Sequence, residues 1–135
     1  MRPEALLEAR DWQNRADRDL QVAVGNLREP DVFPDAATFF AQQAAEKALK
    51  AFLVAYDHPF PKIHDLERLV DLCAGIDAEF VRFAHAARIL SPYAVRFRYP
   101  GGPLEPPVSE AQEAVRLAGE IVQFVRDRLF PEGSP

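Results

Sequence analysis

The placement of proline constrains the fold of this chain more than any other feature of its sequence. The 135 residues include 12 prolines, and proline avoids helix interiors because it lacks a backbone donor and clashes with the preceding turn. Four long stretches contain no proline: 4–29, 35–58, 62–91 and 108–130. They are rich in alanine, leucine, glutamate, arginine and glutamine, which favour helices. The sequence therefore predicts an all-α protein.

Apolar residues that recur every three to four positions divide these stretches into about five helices. The predicted helices cover residues 3–28, 35–56, 65–74, 78–90 and 109–130. The predicted N-terminal caps are Asp31 or Asp35 for the second helix, Asp65 for the third, and Ser109 with Gln112 for the last. Short connections favour an antiparallel up-and-down bundle. The length predicts one domain over residues 1–135, with a frayed tail at about 131–135.

Composition excludes several classes of protein. Cys73 is the only cysteine, which excludes an internal disulfide framework and a thiolate zinc cluster, and its apolar helix face predicts a packing role. No histidine follows a glutamate by three residues, as a di-iron bundle requires, and there is no glycine-rich phosphate loop. We therefore expect no metal and no cofactor. Without a signal peptide or a run of about 18 apolar residues, we expect a cytoplasmic protein that does not span a membrane.

Two clusters of polar residues lie in the middle of the chain. Lys47 and Lys50 are two of only three lysines, and Glu46 precedes Lys50 by four residues, so that the two can pair on one helix face. The alternative for this cluster is a solvated helix face. His64 stands directly before the predicted cap Asp65, where a histidine can fix a loop or take part in proton transfer.

A third cluster interleaves arginine with aromatic residues over 91–101, a segment without any acidic residue. Arginine binds phosphate and aromatic rings stack on bases, so Arg96, Arg98 and Tyr99 favour a nucleotide ligand. The alternative is a loop whose rings close one end of the bundle. The net charge of −5 excludes a general attraction to nucleic acid. Residues 47–98 nevertheless carry a net +2, which leaves room for a local anion site.

Three strings in this order resemble the HEPN family, the domain named for higher eukaryotes and prokaryotes nucleotide-binding. They are FFAQQAAEKALKA at 39–51, KIHDL at 62–66 and RFRYP at 96–100. The resemblance extends from about residue 5 to 130. It implies an all-α bundle that is usually a homodimer and that often acts with a minimal nucleotidyltransferase in a two-component, toxin–antitoxin-like pair.

The resemblance implies two functions, a nucleotide- or partner-binding module and a metal-independent ribonuclease toxin. The toxin motif is an arginine, four to six residues and then a histidine, and this sequence lacks it, because Arg82 and His85 are separated by only two residues. We therefore interpret the chain as a protein without its own catalysis that binds a nucleotide, RNA or the nucleotidyltransferase. The residues carried over as ligand or partner contacts are Lys47, Lys50, His64, Arg96, Arg98 and Tyr99.

Two alternatives to this interpretation stay open. One is the ribonuclease toxin, in which His64 would have to replace the missing histidine by folding close to Arg96 or Arg98. The other is a purely structural bundle that binds a partner and no ligand. The binding interpretation requires that the second helix, the start of the third helix and the end of the fourth meet at one place.

Overall fold

The structure, a computed structural model, describes residues 1–96 and 105–132, with residues 95 and 96 by their backbone only. It contains six α-helices and one 3₁₀ helix in these residues, and no strand. They are α1 (Pro3–Gly25), α2 (Pro34–Ala55), α3 (Leu66–Ala74), the 3₁₀ helix (Ala78–Phe83), α4 (Ala84–Leu90), α5 (Tyr93–Arg96) and α6 (Val108–Leu129). The 3₁₀ helix continues into α4 and α5 is a single turn, so the prediction of an all-α chain with about five helices is confirmed.

Helix α2 is the centre of the bundle, packed against α1 on one side and α6 on the other. Asp19 of α1 pairs with Lys47 and Trp12 lies beside Lys50, so α1 and α2 run antiparallel. Gln13 of α1 donates to the carbonyl of Val122, and Arg10, one turn earlier in α1, lies on the ring of Phe130 after the end of α6. Helix α6 therefore runs antiparallel to α1 and parallel to α2. Helices α3 and α4 pack on each other and on α2.

Alanine at the contacts lets the three long helices approach closely. Seven alanines of α2 are fully buried, at positions 37, 41, 44, 45, 48, 51 and 55. The larger core side chains gather toward the 3₁₀ helix, where Phe80 contacts Phe52 and Phe124 with ring centroids 4.5 and 5.0 Å apart. Cys73 is buried in the same core, and burial raises the pKa of its thiol.

One of the three predicted helix starts is confirmed. Asp65 caps α3 by accepting a hydrogen bond from the Arg68 amide at 3.3 Å. The caps predicted for α2 and α6 are wrong, because the N-cap positions are Phe33 and Pro107 and neither makes a side-chain cap hydrogen bond. At α2, Pro34 takes the first turn with its preset φ. At α6 the helix begins at Val108, so Ser109 is already inside it.

The helix predicted after Asp77 begins differently from expectation. Asp77 caps it by accepting from the Glu79 amide at 3.0 Å, but the first six residues form a 3₁₀ helix. A 3₁₀ helix repeats every three residues, which places both Phe80 and Phe83 against the core. The regular α-helix starts at Ala84.

No helix in the described ranges is long and apolar enough to cross a membrane. The single domain over residues 1–135 stays a prediction. The expected fraying of the tail concerns residues 131–135, of which 133–135 lie outside the described residues.

Candidate functional site

Three polar residues of α2 form a buried row. Gln42, Glu46 and Lys50 are four residues apart and therefore lie on one face of the helix. Their exposed fractions are 0, 4 and 8 %, although the residues around them are mostly alanine. A buried charge is costly unless it is paired and hydrogen-bonded, so this row requires a set of partners. The solvated-face alternative for Glu46 and Lys50 is therefore wrong.

Glu46 is the residue on which the other polar groups converge. One carboxylate oxygen, Oε1, accepts from Gln42 Nε2 at 3.2 Å and lies 2.8 Å from His64 Nδ1. The other, Oε2, accepts from Lys50 Nζ at 2.9 Å. Burial alone raises the pKa of Glu46, but the hydrogen bonds from His64, Lys50 and Gln42, with the charge of Lys50, outweigh burial and hold the pKa below its ordinary value. Glu46 is therefore ionised at neutral pH.

His64 is fixed at two points and still faces outward. Its ring contacts Glu46 through Nδ1, and its carbonyl accepts from Gln42 Nε2 at 3.3 Å. The side chain is nevertheless 62 % exposed. A ring that donates from Nδ1 to a carboxylate keeps Nε2 as its free acceptor when it is neutral. Nε2 has no partner among the described residues, so it is the polar atom of this group that is open to a ligand.

Two aromatic rings enclose Lys50. The ammonium nitrogen lies 5.8 Å from the ring centre of Trp12 on α1 and 5.6 Å from that of Phe60 in the loop before α3. The two rings meet edge to face, with centroids 6.3 Å apart. At these distances the rings attract the cation. Lys50 therefore links α1, α2 and the loop 56–65.

Lys47 belongs to a different contact. It follows Glu46 by one residue, which turns it about 100° around the helix. Its ammonium forms an ion pair with Asp19 of α1, and both side chains are largely buried. The structure thus brings Lys50 and His64 together on Glu46 and places Lys47 between α1 and α2.

The third cluster begins beside the other two. The Leu66 amide, two residues after His64, donates to Ser91 Oγ at 2.9 Å, which fixes the end of α4 against the start of α3. The short helix α5 packs on α2, and Tyr93 is buried with its hydroxyl on Glu110. The backbones of α2, the start of α3 and the end of α4 therefore lie next to one another, as the binding interpretation requires. The side chain of Arg96 and all of Arg98 and Tyr99 lie outside the described residues.

Four members of the group were not among the predicted contacts. Glu46 and Gln42 had a signal in the sequence, a polar residue every fourth position within an alanine-rich helix. Trp12 and Phe60 had none, because their contact with Lys50 joins elements that are far apart in the chain. The described residues contain no group of three or more histidine, cysteine, aspartate or glutamate side chains that could hold a metal ion.

Known proteins match this chain in sequence and in fold. The HEPN domain family matches residues 9–128, and the chain belongs to that family. The crystal structure of TT1696 from Thermus thermophilus is 34 % identical, covers 89 % of this chain and 97 % of its own, and superposes with a TM-score of 0.71. An archaeal HEPN homologue, ST0689, is 23 % identical with 90 and 97 % coverage and a TM-score of 0.72, which shows the same fold. No curated protein matches the chain.

Proposed function

We propose that this HEPN protein is a binding protein without its own catalysis. It binds a nucleotide at the group formed by Glu46, Lys50 and His64, and it acts with a minimal nucleotidyltransferase in a two-component, toxin–antitoxin-like system. The observation that carries the nucleotide part is the buried carboxylate of Glu46, which holds an exposed histidine in one orientation. Membership of the HEPN family supports the partner part.

The chemistry of the group suits a nucleotide, because the acceptor Nε2 of His64 can receive a hydrogen bond from a ribose hydroxyl or a base amino group. Glu46 compensates the buried charge of Lys50, and it orients His64 so that the ring edge with Nε2 faces solvent. The chain returns to this place through Ser91 and α5. In the sequence α5 ends at Arg96, and Arg98 and Tyr99 come shortly after it. Guanidinium groups bind phosphate through two hydrogen bonds, and an aromatic ring stacks on a base. In this proposal Lys47 supports the partner surface indirectly, by fixing α1 against α2 through Asp19.

The proposal includes a homodimer. HEPN domains are commonly dimeric, and the chain leaves large apolar side chains exposed on its surface. Leu7 and Phe33 are 72 and 52 % exposed. Leu7 lies beside an apolar groove lined by Leu6 and Phe130, and contiguous exposed apolar patches are typical of interfaces between subunits.

The nucleotide part is tested by calorimetric titration of the full chain with ATP, GTP and a short RNA. We expect binding to at least one of them and a weakening of about two- to tenfold for His64→Ala, since a hydrogen bond from a ribose hydroxyl or base amino group to Nε2 contributes about 0.5–1.5 kcal/mol. His85→Ala is the matched control, because His85 is exposed on α4 and makes no contact with Glu46. If none of the ligands binds, with or without the nucleotidyltransferase, the nucleotide part is wrong.

A ribonuclease is the second candidate, and the pair of Glu46 and His64 is the observation that favours it. A carboxylate on Nδ1 leaves Nε2 available to take the proton of a ribose 2′-hydroxyl. This candidate predicts growth arrest on expression and RNA cleavage that His64→Ala abolishes. Normal growth at high expression would contradict it. A complex with the nucleotidyltransferase that persists in His64→Ala and Lys47→Ala, without any bound nucleotide, would favour a structural bundle instead.

A further inference from the structure

The outer face of α1 separates its charges by sign along the helix. Its N-terminal half exposes Glu4, Glu8 and Asp11, and its C-terminal half exposes Arg15 and Arg18. The spacing of three to four residues puts these side chains on one broad face. The outer face of α1 therefore has one acidic half and one basic half.

Four of these charges have no ion-pair partner in the part of the chain that the structure describes: Glu8, Asp11, Arg15 and Arg18. Asp11 and Arg15 are four residues apart and could pair on the helix surface, but they make no ion pair. On α6, by contrast, Arg116 contacts both Glu113 and Glu120. The charges of α1 are thus available to a surface outside the chain.

Apolar side chains lie at both ends of this face. At the N-terminal end Leu7 is 72 % exposed, beside a groove of about 330 Å³ lined by Pro3, Leu6, Leu7, Arg10 and Phe130. At the C-terminal end Val22, which follows Asp11 by about three helical turns, is half-buried. The face therefore carries an apolar side chain at each end.

We infer that this face of α1 is the dimer surface and that a second copy of the chain packs on it antiparallel, about a two-fold axis between Asn14 and Arg15. In this arrangement Asp11 lies opposite Arg18 of the partner subunit, and the reverse contact follows by symmetry. Leu7 lies opposite Val22 of the partner subunit. A parallel arrangement would set charges of like sign against each other. The inference rests on the proposed homodimer and names its surface.

The surface also adjoins the candidate site. A depression of about 220 Å³ on α1 is lined by Glu8, Asp11, Trp12 and Arg15, and Trp12 is one of the two rings that enclose Lys50. A second copy on this face would cover the outer edge of Trp12. Dimer formation would therefore shield the aromatic side of the group around Glu46 from water.

Reversal of the charges, followed by mixing, tests the inference. The first variant, Glu8→Arg with Asp11→Arg, has a basic face, and the second, Arg15→Glu with Arg18→Glu, has an acidic one. We expect a dimer for the unaltered chain in sedimentation equilibrium and a dissociation constant raised at least tenfold for each variant alone. An equimolar mixture of the two variants should restore a dimer. The matched control is Arg68→Glu with Arg88→Glu, two exposed arginines on α3 and α4, and it should remain dimeric.

A cross-link locates the axis independently. The variant Asn14→Cys places a thiol next to the proposed axis, and the buried Cys73 does not compete for the oxidant. Mild oxidation should convert this variant into a covalent dimer, whereas Gln112→Cys, exposed on α6, should stay uncross-linked. A dimeric chain whose charge variants dimerise normally would overturn the α1 surface and leave the homodimer standing. A chain that is monomeric at every concentration would overturn both.

Discussion

Helices α2 and α6 have the same length, 22 residues, but the ion pair within α2 is buried and those within α6 are exposed. On α6 the ion pairs lie at the surface, and the side chains of Arg116, Glu113 and Glu120 are each about half exposed. On α2 the pair of Glu46 and Lys50 has side chains that are 5 and 10 % exposed. Surface pairs contribute little to stability and buried ones demand a full set of partners. The difference indicates that the charges of α6 keep the surface hydrated, whereas those of α2 hold a site in place.

The largest expected effect comes from removing the carboxylate on α2. Glu46→Ala leaves Lys50 buried without its counter-charge, and we expect a loss of about 3–5 kcal/mol in the free energy of unfolding. Glu120→Ala on α6 is the matched change at the surface, and it should cost less than about 1 kcal/mol. Urea denaturation of both variants measures the difference. Equal losses would show that the two helices use their charges alike.

Replacing both members of the buried pair sharpens the comparison. Glu46→Leu with Lys50→Met removes the two charges together, and buried ion pairs exchanged for apolar residues are often neutral or stabilising by about 1–4 kcal/mol. We expect this double variant to recover most of the stability that Glu46→Ala loses. Calorimetry should show that nucleotide binding is not recovered with it. Recovery of both would mean that the pair has only a structural role.

Acid should weaken the pair of Glu46 and Lys50 only below the pH range in which an ordinary glutamate is protonated. The pKa of folded Glu46 is lowered, so its contribution to stability is complete above the unfolded value of about 4.3 and is lost as the pH falls through the folded value. We therefore expect the difference in unfolding free energy between the unaltered chain and Glu46→Gln to be constant at pH 5–7 and to shrink below about pH 4. A difference that grew on acidification would contradict the lowered pKa.

The smallest effects concern the helix starts. Asp65→Ala removes the cap of α3 and should cost about 1 kcal/mol. Ser109→Ala on α6 removes no cap hydrogen bond and should change the stability by less than about 0.5 kcal/mol. Thermal unfolding of the two variants checks this pair. A clear loss for Ser109→Ala would show that the hydroxyl caps α6 after all.

The bounds of the helices could be predicted closely, because proline ends a helix and alanine favours one whatever the rest of the chain does. The prediction for α2 was 35–56 against the observed Pro34–Ala55, and that for α6 was 109–130 against Val108–Leu129. Caps were harder to predict, because several residues near a helix start can cap it and packing decides where the helix begins. Asp65 was identified correctly, whereas Asp31, Asp35 and Ser109 were not.

Some residues of the candidate site could be predicted from the sequence, but most of the contacts between them could not. The spacing of Glu46 and Lys50 predicted their ion pair. His64 was a candidate because it directly precedes Asp65, the predicted cap of α3. Their convergence on one carboxylate required the loop to fold back over α2, which no local pattern encodes. The enclosure of Lys50 by Trp12 and Phe60 has the same origin, since it depends on how distant elements pack.

The position of Trp12 has a practical consequence. It is the only tryptophan in the chain, and its ring lies next to the Lys50 ammonium and edge to face with Phe60. Its emission therefore comes from one place in the molecule and is sensitive to the charge and hydration there. The protein carries its own optical probe, which reports on the surroundings of Lys50 by fluorescence without any attached dye.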